Sequence, residues 1–262
     1  MKHTTNNEFA IISDLKQESK QIDATTQVWN SHYQTDKSKQ LYPDENLVRL
    51  LSRYKQNPLI QNKKLTALDY GFGSGRHLSL LDDFGFDFIA GYDISEIAVD
   101  LAQKRFNREE FTTKEFNREE SNKKELGKKE PGRKEFNNNK FDLQLLKPNT
   151  RLHYPDSSFD IIVVWGVFHY IPNMERTRLL HDLKRLLRNN GQLFGTLRST
   201  KDTQYTVSEV SKAQIQFFTE AEATSLLKPF FNKLELGFME RSPIGQLESR
   251  VSHWFFSASN QE

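Results

Sequence analysis

A chain of 262 residues has room for one large domain or two small ones, and a hydrophobic share of 36% against 27% charged leaves part of it without a core to join. The absence of cysteine excludes disulfide frameworks, thiolate metal sites and cysteine nucleophiles, and suits a reducing compartment. The formal charge of +2 misleads as a guide to partners. Residues 104–140 hold 12 Lys or Arg against 8 Glu, which leaves 25 basic against 27 acidic residues elsewhere, so the presumed folded part offers nucleic acid no basic excess.

Residues 1–25 are rich in Thr, Asn, Gln and Lys without sustained periodicity and read as an arm. Met1–Leu15 lacks the apolar core of a secretion signal, and the longest apolar run, Ile161–Phe168, is too short to span a bilayer. A cytoplasmic chain with no membrane partner is the expectation. Val28–Tyr33 and then Tyr42–Leu51 predict a helix, a loop and a second helix. Pro43 is expected in the first turn of that second helix, Asp44 and Glu45 near its positive end, and Leu47, Leu50 and Leu51 along its buried stripe. Trp29 and Tyr33 stand one helical turn apart and either pack in a core or close over a ligand.

Leu65–Tyr70 is a short apolar run containing Asp69, followed by Gly71, Gly73 and Gly75, which make a turn without side chains at alternate positions. His77–Phe84 then has helical spacing through Leu78, Leu81 and Phe84, with Gly85 placed to end it. Strand, glycine turn and helix form half of a nucleotide-binding unit. Asp87–Asp93 predicts a second strand ending in an acid, and Ser95 is the expected cap of the next helix. Asp93 follows Gly75 by 18 residues, the separation at which a carboxylate on the tip of the second strand meets ribose hydroxyls.

Seven consecutive five-residue units run from Phe106 to Lys140, and Glu closes six of them. A step of five residues advances about 140° around a helix, so Phe106, Phe111 and Phe116 share no face and no core stripe forms. The segment reads either as a tandem expansion in a flexible surface loop or as a charged interaction arm. Regular structure is expected to resume near Phe141. Ile161–Trp165 predicts a central buried strand, Met174–Leu187 a helix stopped by Asn189, Asn190 and Gly191, and Gln192–Leu197 another strand. Phe217–Leu227 predicts a helix with a capping box from Thr219 to Glu222, and Leu234–Met239 and Ser252–Ala258 predict a closing antiparallel hairpin. The alternation is that of an α/β, Rossmann-like, doubly wound and mostly parallel sheet with a C-terminal antiparallel hairpin. Residues 1–62 are expected to form the arm and a helical cap, and residues 63–262 the Rossmann-like domain, interrupted by the repeat at 106–140.

The Asp69-x-Gly71-x-Gly73-x-Gly75 pattern, Asp93, the stretch Pro155–Tyr170 and the closing hairpin, taken in that order, resemble a class I S-adenosylmethionine-dependent methyltransferase of the small-molecule type. The likeness covers about Leu65–Gln103 and Phe141–Ser259. It implies S-adenosyl-L-methionine as cofactor and a small-molecule acceptor methylated on oxygen or nitrogen. By the same likeness, amides of Gly71 and Gly73 approach the amino-acid end of the cofactor, Asp69 orients its ammonium and Arg76 meets its carboxylate. Asp93, with Ile94 beside it, takes the ribose, while Trp165 and Gly166 border the methionine portion and Tyr33 closes over it. His169 is the candidate base for a hydroxyl acceptor, since imidazole titrates near neutrality, or else a structural histidine; no metal is implied. Two positions depart from the family's pattern. Pro148 stands where many members carry an acid for the adenine amino group, with Asn149 as a substitute, and Phe72 stands where a small residue is common. A methyltransferase-like binding protein and an NAD-dependent oxidoreductase are the rival readings.

Overall fold

The computed structural model describes residues 25–35, 42–106, 140–147, 150–203 and 215–260. The residue 1–24 arm, most of the pentapeptide repeat, and Pro148 and Asn149 lie outside the described residues.

Helix α1 occupies residues 25–33 and α2 runs Glu45–Lys55. Asp44 caps α2, its side chain accepting from the Asn46 amide at 3.0 Å, so Pro43 lies before the cap and not in the first turn. Leu47, Leu50 and Leu51 are buried as their spacing requires, and Tyr54 extends the stripe by another turn. Strand β1 (Thr66–Tyr70) leads through the glycine turn into α3 (Arg76–Asp83), and β2 (Phe88–Asp93) leads into α4 (Glu96–Phe106). Gly85, at φ +69°, lets the Gly85 and Phe86 amides turn back onto the carbonyls of Asp82 and Leu81, which ends α3 in a Schellman motif. Ser95 is the cap expected for α4: its Oγ accepts from the Ala98 amide at 3.2 Å.

Strand β3 is Phe141–Leu145 and β4 is Phe159–Val164. Helix α5 (Asn173–Leu186) ends one residue earlier than its apolar spacing suggests, because Leu187 is already extended and opens β5 (Leu187–Arg198). Asn190, at φ +67°, lies within that strand and does not separate it from the helix. Helix α6 (Glu220–Leu227) carries the full Thr219–Glu222 capping box; Phe217 and Phe218 stay outside it, and Phe218 bridges to Ser199. Strands β6 (Lys233–Arg241) and β7 (Val251–Ser259) complete the order.

The seven strands form one sheet in the order β3-β2-β1-β4-β5-β7-β6. The first five are parallel, while β7 pairs antiparallel with both β5 and β6. Strands β1 and β4 are buried on both faces, which explains why their sequences are continuous apolar runs and not alternations. One core layer joins α5 and α6 to the sheet through Leu180, Leu183, Leu186 and Leu227. The other joins α2, α3 and α4 through Leu47, Leu51, Leu78, Leu81 and Ala98. No described helix is long and apolar enough to cross a membrane.

Candidate active site

The chain reverses its winding at β1, which has β2 on one side and β4 on the other, and ligands of wound sheets bind beyond the carboxyl ends of the strands at such a point. There the three glycines of the turn all adopt positive φ: Gly71 +76°, Gly73 +55° and Gly75 +77°. The Gly71 amide donates to the Tyr92 carbonyl at 2.6 Å, and the Gly73 amide to Asp93 Oδ2 at 2.8 Å. The turn is thus tied to the end of β2. Asp93 Oδ1 accepts from the Ser95 amide at 2.9 Å, so one carboxylate holds both the glycine turn and the entry to α4. Burial pushes Asp93 up to about 6 against the pull of the amides of Ser95, Gly73 and Ile94.

Asp69 is buried behind this turn, and neither of its carboxylate oxygens has a hydrogen-bond partner among the described residues. Burial pushes its pKa up to about 8, with the charge of Asp93 adding to the shift and Arg76 opposing it. Of this acidic pair, Asp69 is the one that carries a proton at neutral pH.

A cavity of about 860 Å³ opens over the turn. Tyr33, Gly71, Gly73, Arg76, Asp93, Ile94, Trp165, Gly166 and His169 all border it, so nine of the residues singled out by sequence meet at one place. Asp69 and Gly75 do not reach it. Asp69 lies behind the turn, and Gly75 opens α3 with a Cβ position 2.9 Å from the Phe106 ring. Phe72, the bulky residue within the turn, points its ring into the core, where Gly91 on β2 leaves the space for it.

Helix α1 covers the cavity. Trp29 stacks on Tyr33 with centroids 6.0 Å apart and meets the Tyr170 ring edge-on at 5.1 Å. The Ser95 hydroxyl donates to Asn30 Oδ1 at 2.7 Å, which fastens the helix over the carboxyl end of β2. The Tyr33 hydroxyl lies directly above Gly73, where a Cβ would overlap it. Trp29 and Tyr33 thus pack on each other and border the cavity from above.

Trp165 directly follows β4, almost fully buried against the edge of His77 and still bordering the cavity. Gly166, at φ +79°, donates its amide to Thr196 Oγ1 at 2.8 Å. His169 is buried, and its Nδ1 has no hydrogen-bond partner among the described residues. Burial, then His253, Arg198 and Arg176, hold its pKa well below 6.5, so the ring is neutral and a weaker base than its type suggests. His77 is likewise buried and pushed down to about 3, first by burial and then by Arg76.

The far wall escapes sequence reasoning. Arg198, His253 and Arg241 come from β5, β7 and β6, and only the antiparallel register brings them together. Period-two alternation along Ser252–Ala258 marks His253 as facing one side of a strand, but nothing local marks that side as a cavity wall.

The sheet order, the glycine turn at the reversal point, the acid ending β2 and the antiparallel β7 between β5 and β6 together define a class I S-adenosylmethionine-dependent methyltransferase. The all-parallel order of dinucleotide oxidoreductases has no such strand. The chain belongs to the family described as a methyltransferase domain, whose model matches residues 18–230. It is an enzyme of that class, and its cofactor is S-adenosyl-L-methionine. No curated protein matches it significantly in sequence.

Among solved structures it is similar to an S-adenosylmethionine-dependent methyltransferase from Anabaena variabilis, at 18% identity and a TM-score of 0.56, over 91% of this chain and 95% of that one. It is also similar to a protein from Pyrococcus horikoshii, at 15% identity and a TM-score of 0.53, over 88% and 99%. A third similar structure is the [4+2]-cyclase SpnF, at 12% identity and a TM-score of 0.53, over 82% and 81%. At these identities the likenesses establish the fold.

Proposed function

We propose that this methyltransferase acts on an oxygen or nitrogen of a small molecule. The observation that carries the reading is the roof of α1. It gives the carboxyl end of the sheet a roofed cavity of about 860 Å³, within the range of small-molecule sites. The lack of a basic excess outside residues 104–140 supports the same choice. In this reading residues 1–62 comprise an arm and a helical cap, and residues 63–262, interrupted by the repeat at 106–140, the methyltransferase domain, in a cysteine-free chain suited to the cytoplasm.

The residues present fit the cofactor. The turn offers a cradle where a Cβ at Gly71 would strike Val167 and one at Gly73 would strike Tyr33. Behind it the orphaned oxygens of Asp69 await a cationic or hydrogen-bonding partner. Asp93 keeps lone pairs beyond those given to Gly73 and Ser95 and takes the ribose diol, with Ile94 beside it. Gly71 and Gly73 bring main chain against the amino-acid end, Arg76 meets the carboxylate, and Asp69 acts on the ammonium through water. Gly75 sets the start of α3, Trp165 and Gly166 border the methionine portion, and Tyr33 closes the site. Bound S-adenosylmethionine supplies a methyl group already activated on a sulfonium. The chain's task is to align the acceptor and exclude water, so proximity and desolvation supply the rate.

Incubation of the full chain with S-adenosylmethionine and fractionated metabolite extracts tests the reading. A small molecule heavier by one methyl group is the expected product. If only protein or nucleic acid in the extract becomes methylated, the small-molecule assignment fails.

A further inference from the structure

Arg176 stands where the core stripe of α5 calls for an apolar side chain. Leu179, Leu180, Leu183 and Leu186 are buried along that helix, and position 176, one turn before Leu179 and Leu180, continues their face. The arginine there has only 1% of its surface exposed. Glu175 beside it pairs with Arg178, and Arg176 has no ion-pair partner among the described residues. Burial lowers its pKa to about 10, so the side chain stays charged at pH 7. A buried cation without a counter-ion is costly unless its donors are taken up.

One short turn of chain takes them up. Nε donates to the Phe168 carbonyl at 2.9 Å, Nη2 to the Ile171 carbonyl, and Nη1 to Asn173 Oδ1 at 2.8 Å, while the Phe218 ring centre lies 5.0 Å from the guanidinium carbon. The fork thus fastens both ends of the turn Phe168–Tyr170 to the first turn of α5. A lysine ammonium places its donors around one atom and does not span acceptors held by separate arms of a fork.

The loop held in this way touches two parts of the cofactor site. Val167 packs against the glycine turn, where a Cβ on Gly71 would lie 2.4 Å from one of its methyl carbons. Tyr170 meets the Trp29 ring of the α1 roof edge-on at 5.1 Å. Arg176 itself does not line the cavity. We propose that Arg176 is a positioning residue for the cofactor: it fixes the loop after β4 so that Tyr170 holds the roof and Val167 backs the glycine turn. This role is the same whatever acceptor is methylated.

Arg176→Lys keeps the charge and loses the fork. With S-adenosylhomocysteine as probe, stopped-flow Trp165 fluorescence should show release roughly tenfold faster, and calorimetry binding weaker to match, at temperatures where the variant is folded. Asn173→Ala removes one of the three acceptors and should speed release by about threefold, which keeps the assignment testable if the lysine variant does not fold. Because Arg176 acts through Tyr170 on the roof, neither change should speed release from Trp29→Ala by more than about twofold, whereas independent sites would multiply. Leu179→Ala opens a cavity in the same helix, reads the effect of lost stability alone, and should release the probe at the parental rate. Parental release from a folded Arg176→Lys, or from Asn173→Ala where the lysine variant does not fold, would overturn the assignment. Effects that multiply with Trp29→Ala, or an equal acceleration in Leu179→Ala, would overturn it as well.

Discussion

A Cβ on Gly91 would lie 2.7 Å from Cδ1 of Phe72, so the glycine of β2 leaves the space into which the bulky residue of the nucleotide turn folds. The departure of Phe72 from a small-residue pattern is thereby absorbed in the core, and the cavity side of the turn stays backbone. Gly91→Ala should overpack this contact, costing about 1–3 kcal/mol in urea unfolding and weakening cofactor binding as the turn shifts. An alanine variant with unchanged midpoint and affinity would show that Phe72 has room to move.

Asp93 holds the turn through the Gly73 amide and the α4 entry through the Ser95 amide. Asp93→Ala should weaken S-adenosylmethionine binding by about 1–3 kcal/mol, as read by calorimetry, through lost hydrogen bonds to a charged group. Asp93→Asn keeps an acceptor oxygen and should recover part of the loss. If the alanine variant binds as tightly as the parent, the ribose assignment is wrong.

Asp69 links cofactor binding to pH. Its folded pKa is raised from 3.8 to about 8, so its contribution to stability is present below pH 3.8 and is lost as pH rises through about 8. An ammonium near the carboxylate reverses the shift. Cofactor binding at pH 7 should therefore release a proton, and affinity should rise between about pH 6 and pH 8. Calorimetry in buffers of differing ionisation enthalpy reads that proton directly, and Asp69→Asn should abolish the buffer dependence.

The roof of α1 is held by aromatic contacts of Trp29 with Tyr33 and Tyr170. Each is worth about 0.5–1.5 kcal/mol, so Trp29→Ala should loosen the helix and speed cofactor release roughly tenfold. Trp165, at the cavity wall, can report the rate by stopped-flow fluorescence. An unchanged rate means that ligands leave by a path α1 does not gate.

Local chemistry made much of this legible. The glycine spacing, the acid ending β2, the Thr219 box and the Leu47–Leu51 stripe each follow from contacts within a few residues, and each is present in the fold. The start of α2 was displaced by one competing interaction, the Asp44 cap, which outranks Pro43 as the first-turn residue. The far wall of the cavity was not legible, because Arg198, His253 and Arg241 lie on three strands and become neighbours only through register. Nor does a linear sequence reveal that Gly91 accommodates Phe72, a contact made between β2 and the glycine turn.

In sequence the pentapeptide repeat runs between the end of α4 and the start of β3, and there the rings of Phe106 and Phe141 lie 4.6 Å apart at 32°. Together with the Gln103 side chain, which donates to the Leu143 carbonyl at 3.0 Å, this contact joins the helix to the strand directly. Loop closure costs only about 0.6 kcal/mol per doubling of length, so a shorter link should close at least as readily. Replacing residues 108–138 with Gly-Ser-Gly should keep the melting temperature equal or higher and cofactor affinity within about twofold, since each halving of the loop recovers that same increment. A variant that fails to fold, or that folds and binds cofactor far more weakly, would show that the repeat belongs to the working structure and is more than an expansion between two phenylalanines.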